Sequence, residues 1–317
     1  MWFEQRVIHR LWTTPSASHD EAALPTTCSS WEARVRLHTV VKPHHPRNPL
    51  APTRPAPYGA RMDTMVTVGN DRLWVDDSGG DGPAVLLVHP GIHDSTVWDP
   101  VLPLLENHRL VRYDARDFGR SSASSEEFLP LADLLAVLDH VGLERAHLVG
   151  NSMGGQNTLA VTLEHPERVL SLTLLAPGIK GYDYPDDDPE LEQEWDEVVS
   201  SGDQARMVDL YGRVWCASGV DDAIRAQLVA MVAAEERHDG FEQDNPEQWS
   251  RVGEIAVPTA VVIGDLDLPS MVTGSLDLAG RIPEAELVRL AGVDHLPSLR
   301  EPQAVADAVR RTVARAG

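Results

Sequence analysis

From Met65 onward, short apolar runs alternate with stretches of helical spacing. Met65 to Val68 and Leu73 to Ser78 flank a Gly-Asn-Asp-Arg turn and predict a β-hairpin. Ala84 to Val88 is continuously apolar, as expected of a strand covered on both faces of a parallel sheet. A short helix over Trp98 to Asn107 and a strand over Arg109 to Tyr113 follow. Leu131, Leu134, Leu135, Leu138 and Val141 share one helical face, and Gly142 ends that helix. An apolar run at His147 to Val149 leads through Gly150-Asn-Ser-Met-Gly154 into a helix over Gln156 to Glu164. Val169 to Leu175 is a further strand. This βαβ rhythm predicts an α/β fold with a doubly wound, mostly parallel eight-stranded sheet and an antiparallel hairpin at one edge.

Between residues 178 and 252 the rhythm stops. Helical segments are expected at Pro189 to Val199, Asp203 to Cys216 and Asp222 to Arg237, with Tyr182, Tyr184, Trp195, Tyr211, Trp215 and Trp249 scattered among them. The stretch reads as a helical lid inserted in the sheet, because the α/β pattern resumes at once. Val257 to Gly264 and Ala285 to Leu290 are strands, while Gly274 to Gly280 and Pro302 to Ala314 are helical. The core is therefore expected over 62–177 and 253–317.

Charge separates the first 61 residues from the rest. They carry about +4, with eight prolines and three tryptophans, whereas the remainder carries −26 of the chain's −22 total. They show no sustained period and are expected to be disordered or to belong to an over-long reading frame that truly starts at Met62 or Met65. No basic start with an apolar core points to export, so a cytoplasmic location is expected. The acidic balance argues against nucleic acid and anionic membrane surfaces as partners, and no apolar run has the length of a membrane span. Cys28 and Cys216 imply neither a disulfide framework nor a zinc site. Neither metal-ligand spacing nor a phosphate loop is present, and no cofactor is expected.

Chemistry concentrates at strand ends. A serine between two glycines at a strand-to-helix turn is the mark of a nucleophile elbow, with the Met153 N–H and the helix dipole facing a developing oxyanion. A serine hydroxyl needs a base, and the base an orienting acid. Downstream strand ends supply candidates in Gly264-Asp265-Leu-Asp267 and Gly292-Val-Asp294-His295.

With His89-Pro-Gly91, Trp98 and Asp114-Ala-Arg-Asp-Phe-Gly-Arg-Ser121 added to these, the chain from about Met65 resembles the α/β-hydrolase fold family. The resemblance implies Ser152 as nucleophile, His295 as general base and Asp267 as the acid that orients it. Asp265 is then a turn residue. Gly91 is implied as the second oxyanion donor beside Met153. Three positions depart from the family pattern. Pro90 stands in the oxyanion loop, Asp117 stands where glycine is usual and needs an unusual backbone angle, and Asp294 stands beside the base. Asp294 is expected to point to solvent rather than to the imidazole. His89 is expected to brace its loop, as are His93 and Asp94, with contact to substrate the alternative for His93. His108, His140, His147, His165 and His238 read as surface or helix-end residues.

A serine nucleophile excludes the branches that form an ester on a carboxylate. The loop and His-Leu-Pro segments resemble enol-lactonase-like esterases most closely, which implies hydrolysis of a small-molecule ester or lactone through an acyl-serine. A carbon–carbon bond hydrolase of ring-cleavage products is the alternative. Gly-Asn-Ser-Met-Gly-Gly is similar to the elbow of that group, but Leu296 stands where its members place an aromatic. A cofactor-free perhydrolase and a non-catalytic ligand-binding member are further readings. A strongly anionic substrate would have to rely on lid arginines, among them Arg206, Arg213, Arg225 and Arg237.

Overall fold

A computed structural model describes residues 36–40, 62–185, 188–235 and 240–317. Much of the amino-terminal segment that the sequence sets apart, residues 1–35 and 41–61, lies outside them. Its one described piece is strand β1 (Arg36–Val40). Eight further strands follow: β2 (Met62–Val68), β3 (Asp71–Asp77), β4 (Ala84–Val88), β5 (Arg109–Tyr113), β6 (Ala146–Asn151), β7 (Val169–Leu175), β8 (Thr259–Gly264) and β9 (Glu286–Leu290). These eight form the α/β sheet that the sequence predicts. β2 and β3 are antiparallel at one edge and the rest run parallel, in the order β9-β8-β7-β6-β4-β5-β3-β2. β1 adds to the opposite edge as a ninth strand, parallel to β9 with Arg36 opposite Glu286.

The central strands are buried along nearly their whole length, as continuous apolar runs require. Val85 to Val88 and Val261 to Ile263 are fully enclosed. The flanking helices are α1 (Pro130–His140), α2 (Met153–Glu164), α6 (Pro269–Arg281), α7 (Pro297–Arg300) and α8 (Pro302–Arg315). On α1, Leu131, Leu134 and Leu138 are buried, the face that the spacing foretold. The segment expected to be a helix over Trp98 to Asn107 is instead two single 3₁₀ turns, Ser95–Trp98 and Leu102–Leu105. Pro100 and Pro103 lack the N–H that a continuous helix would need there.

The insertion between β7 and β8 contains α3 (Pro189–Ser201), α4 (Gln204–Trp215) and α5 (Asp222–Glu235). Each starts at a side-chain cap or an acidic first turn. Asp188 accepts from the Glu190 N–H, and Asp203 accepts from the Ala205 and Arg206 N–H groups. The lid aromatics mostly pack on one another. Trp195 lies 5.0 Å from Tyr211, and Tyr182 packs edge-on against both Tyr184 and Trp249. Trp215 is the exception, since its ring packs against His295.

One buried charge cluster fixes the hairpin edge to the body. Arg116 donates to Asp133 on α1 at 2.7 Å and also pairs with Asp71 on β3, all three being nearly inaccessible. Burial pushes the Asp133 carboxyl up, and the paired guanidinium does not fully offset it.

Candidate active site

The elbow is built by close backbone contacts that only glycine permits. A Cβ on Gly150 would stand 2.2 Å from the Gly154 carbonyl oxygen, and one on Gly154 would stand 2.3 Å from the Val88 carbonyl oxygen. β6 therefore runs into α2 with no room for a side chain on either flank. Ser152, between them, has φ 52° and ψ −113°, a left-handed conformation that costs a serine free energy. Its N–H donates to Leu175 on β7, and its carbonyl accepts from Gly178, so the strained turn is held from both sides. Met153 opens α2, where the first N–H groups have no partner within the helix. Gly91 is buried in the turn that leaves β4, against which Gly154 packs.

His295 and Asp267 come together from separate strand ends, 28 residues apart in sequence. The His295 Nδ1–H donates to Asp267 Oδ2 at 2.7 Å, with both side chains almost wholly buried. The other carboxylate oxygen of Asp267 accepts from the Leu268 N–H at 2.9 Å. With Nδ1 committed to the acid, Nε2 carries the lone pair. Asp265 is exposed and accepts from the Gly292 N–H at 2.6 Å, bracing the turn that leads to His295. Asn151, beside Ser152, joins the two halves by donating to the Leu175 and His295 carbonyls at 3.0 and 3.3 Å.

Asp294 points neither to solvent, as the sequence suggested, nor to the imidazole. It is fully buried and accepts from Arg300 at 2.8 Å and from the Ser218 N–H at 3.0 Å. Asp117 does adopt the left-handed angle its position demands, with φ 70°.

The loop histidines are structural in their contacts. His89 donates from Nδ1 to the Pro90 carbonyl and accepts at Nε2 from the Ala115 N–H, each at 2.9 Å. Burial lowers its pKa despite the nearby Asp114 carboxylate. Asp94 caps the first 3₁₀ turn through the Thr96 N–H and accepts from Gln227 on α5 at 3.2 Å. His93 and Asp94 also border a cavity of about 450 Å³ between this loop and α5, walled further by Phe118, Arg120 and Met231. Neither Ser152 nor His295 contributes to that wall.

His147 corrects the expectation of a surface residue. It is buried within β6, with Nδ1 2.9 Å from the Ser171 hydroxyl. Burial first, and then the charges of His108 and Arg145, hold its pKa down at about 4. His238 lies outside the described residues. A buried histidine that stays neutral when folded takes up its proton only on unfolding, so the unfolded chain binds more protons below its ordinary value near 6.5. Stability is thus full above that value and falls as pH drops below it. We expect the thermal midpoint to decline by a few degrees from pH 7 to pH 5, and His147→Gln to make the decline shallower. Calorimetry or dye-monitored melting over that range checks both.

Among the described residues, no helix is long and apolar enough to cross a membrane, and no group of three or more His, Cys, Asp or Glu could hold a metal ion.

A family model for the alpha/beta hydrolase fold matches residues 83–211. The 2-hydroxy-6-oxononadienedioate/2-hydroxy-6-oxononatrienedioate hydrolase of Cupriavidus pinatubonensis is 30% identical over 237 residues, covering 68% of this chain and 81% of that protein. Among solved structures, Est816, an N-acyl homoserine lactone degrading enzyme, superposes with a TM-score of 0.62. It is 25% identical, with 78% of this chain and 99% of that one covered. The carboxylesterase CesB of Bacillus subtilis superposes with a TM-score of 0.65 at 21% identity, over 80% of this chain and 91% of its own, a likeness of fold. The chain belongs to the α/β-hydrolase family and is a hydrolase of that fold.

Proposed function

We propose that the protein is a serine hydrolase in which Ser152 attacks a substrate carbonyl, His295 takes its proton at Nε2, and Asp267 orients the imidazole and stabilises its charged form. The N–H groups of Gly91 and Met153 receive the oxyanion. The bond this machinery cleaves is a carbon–carbon bond in a ring-cleavage product, the alternative to which the Gly-Asn-Ser-Met-Gly-Gly elbow is similar. The observation that carries it is the 30% identity to a 2-hydroxy-6-oxo-dienedioate hydrolase over most of both chains. A carbon leaving group departs only when its electron pair can be delocalised. The 2-hydroxydienoate first moves its enol proton to C5, giving the vinylogous 2-oxo acid; when the C5–C6 bond breaks, the pair left on C5 enters the conjugated enolate. His295 returns a proton to that fragment, and water then releases the acyl group from Ser152 as an acid.

One structural observation favours ester or lactone cleavage as the second reading. Ring-cleavage products carry a carboxylate, yet none of the described lid arginines is buried. Arg206 is exposed, while Arg213 and Arg225 reach outward to Glu194 and Asp209. Arg237 lies outside the described residues. Turnover of 2-hydroxy-6-oxo-6-phenylhexa-2,4-dienoate, an N-acyl homoserine lactone and a p-nitrophenyl ester separates the two. We expect kcat/KM for the dienoate to exceed the others by about a hundredfold or more. The reverse order would replace the first reading with the second.

A further inference from the structure

Asp294 carries a buried carboxylate that the proposed chemistry does not use. Its surroundings connect two parts of the molecule that sequence leaves about eighty residues apart. α4 ends at Trp215, with Cys216 as its cap. Ser218 and Gly219, just beyond it, are stitched to the loop holding the base. The Ser218 N–H donates to Asp294 Oδ2 at 3.0 Å, and the Ser218 hydroxyl donates to the Gly292 carbonyl at 3.1 Å. Arg300 Nη2 donates both to Asp294 and to the Gly219 carbonyl, the latter at 2.5 Å. The His295 N–H itself donates to the Trp215 carbonyl at 3.3 Å. The Trp215 ring lies 4.5 Å from the imidazole, tilted by 45°. Its Nε1 is buried without a hydrogen-bond partner, so no polar contact of the ring itself fixes its place.

We propose that the Asp294–Arg300 ion pair is the anchor that seats the end of α4 on the base loop, making both residues positioning residues for His295. This rests on the reading of His295 as the base. Physical chemistry makes the anchor an obligate pair. Asp294 is fully buried, and a carboxylate left there without its cation is strongly unfavourable. Arg300 is suited to the task because its planar fork grips the carboxylate through Nε and Nη2 while Nη2 also holds a lid carbonyl. A lysine would keep the charge and lose that geometry. Once the anchor is released, only the long His295 N–H bond to the Trp215 carbonyl, the Ser218 hydroxyl bond to Gly292 and packing hold Trp215 over the imidazole. The base then samples tilts away from the serine. Loss of alignment of this kind lowers the rate of the chemical step more than it weakens substrate binding.

Arg300→Lys and Asp294→Asn test the proposal in the full-length protein by two readouts, steady-state kinetics and native-state hydrogen exchange. We expect amides in a peptide spanning 213–221 to exchange about tenfold faster or more in both variants, with peptides of α2 and α8 unchanged. We expect kcat to fall about tenfold to a hundredfold, with KM within about threefold of the parent. Unchanged protection across 213–221 in Arg300→Lys, or kcat within twofold of the parent once protection there is lost, overturns the proposal. So does a loss of activity that vanishes when corrected for the folded fraction. Should Asp294→Asn not fold, Arg300→Lys alone decides. The exchange readout is independent of chemistry. Failure of the catalytic reading would instead appear as an active His295→Ala variant, which removes the positioning role even where the anchor itself is seen.

Discussion

Ser152→Ala is expected to lower kcat/KM by on the order of 10⁴-fold or more while leaving the fold intact. On the proposed reading the nucleophile acts with the base and the oxyanion donors as one unit, so removal of its oxygen leaves only the residual rate from binding and oxyanion stabilisation. Alanine must adopt the same left-handed backbone, φ 52°, that serine does, so the thermal midpoint should hardly move. Ser152→Gly separates strain from chemistry. It is expected to be equally inactive yet more stable by about 1 kcal/mol, because glycine occupies that conformation without steric cost. An inactive variant that is also less stable would mean that the turn is not a strained functional element.

The second large effect is expected from the acid. Asp267→Asn should reduce kcat by on the order of 10⁴-fold. An amide in that place donates rather than accepts, so Nδ1 must give up its proton to pair with it. Nε2 then holds the proton and cannot receive the one on Ser152. Asp265→Asn should change kcat by less than about threefold, since Asp265 is exposed and its visible work is to accept the Gly292 N–H. Both variants are to be measured with one substrate at one pH. A greater loss in the Asp265 variant would reverse the assignment.

Much of this arrangement is legible in sequence because it rests on local necessity. The elbow needs glycine on both flanks for reasons of space, and the Cβ clashes at Gly150 and Gly154 show the space already filled by backbone. The buried strands announce themselves as apolar runs, and the sites of an open α/β sheet lie where such runs end. That is why Asp267 and His295 can be named from their places after β8 and β9. The rest depends on contacts between distant segments, which no local pattern encodes. His147 occupies a strand buried on both faces, where alternation gives no clue to which polar residue finds a partner; Ser171 on the next strand supplies it. Asp294 reads as a loop acid until Arg300 and Ser218 are brought to it. Trp215 is one of several lid aromatics, and its apolar spacing does not tell which of them faces the base. β1 stands in a stretch rich in proline and histidine, and only its pairing with β9 marks it as a strand.

If a single activated serine carries the chemistry, the mass of the folded protein after brief treatment with a fluorophosphonate, followed by peptide mapping, shows it. We predict one equivalent of label, located on Ser152, with none taken up by Ser152→Ala or by denatured protein. A folded protein that takes up no label, or takes it up equally when Ser152 is absent, would mean that Ser152 is not an activated nucleophile.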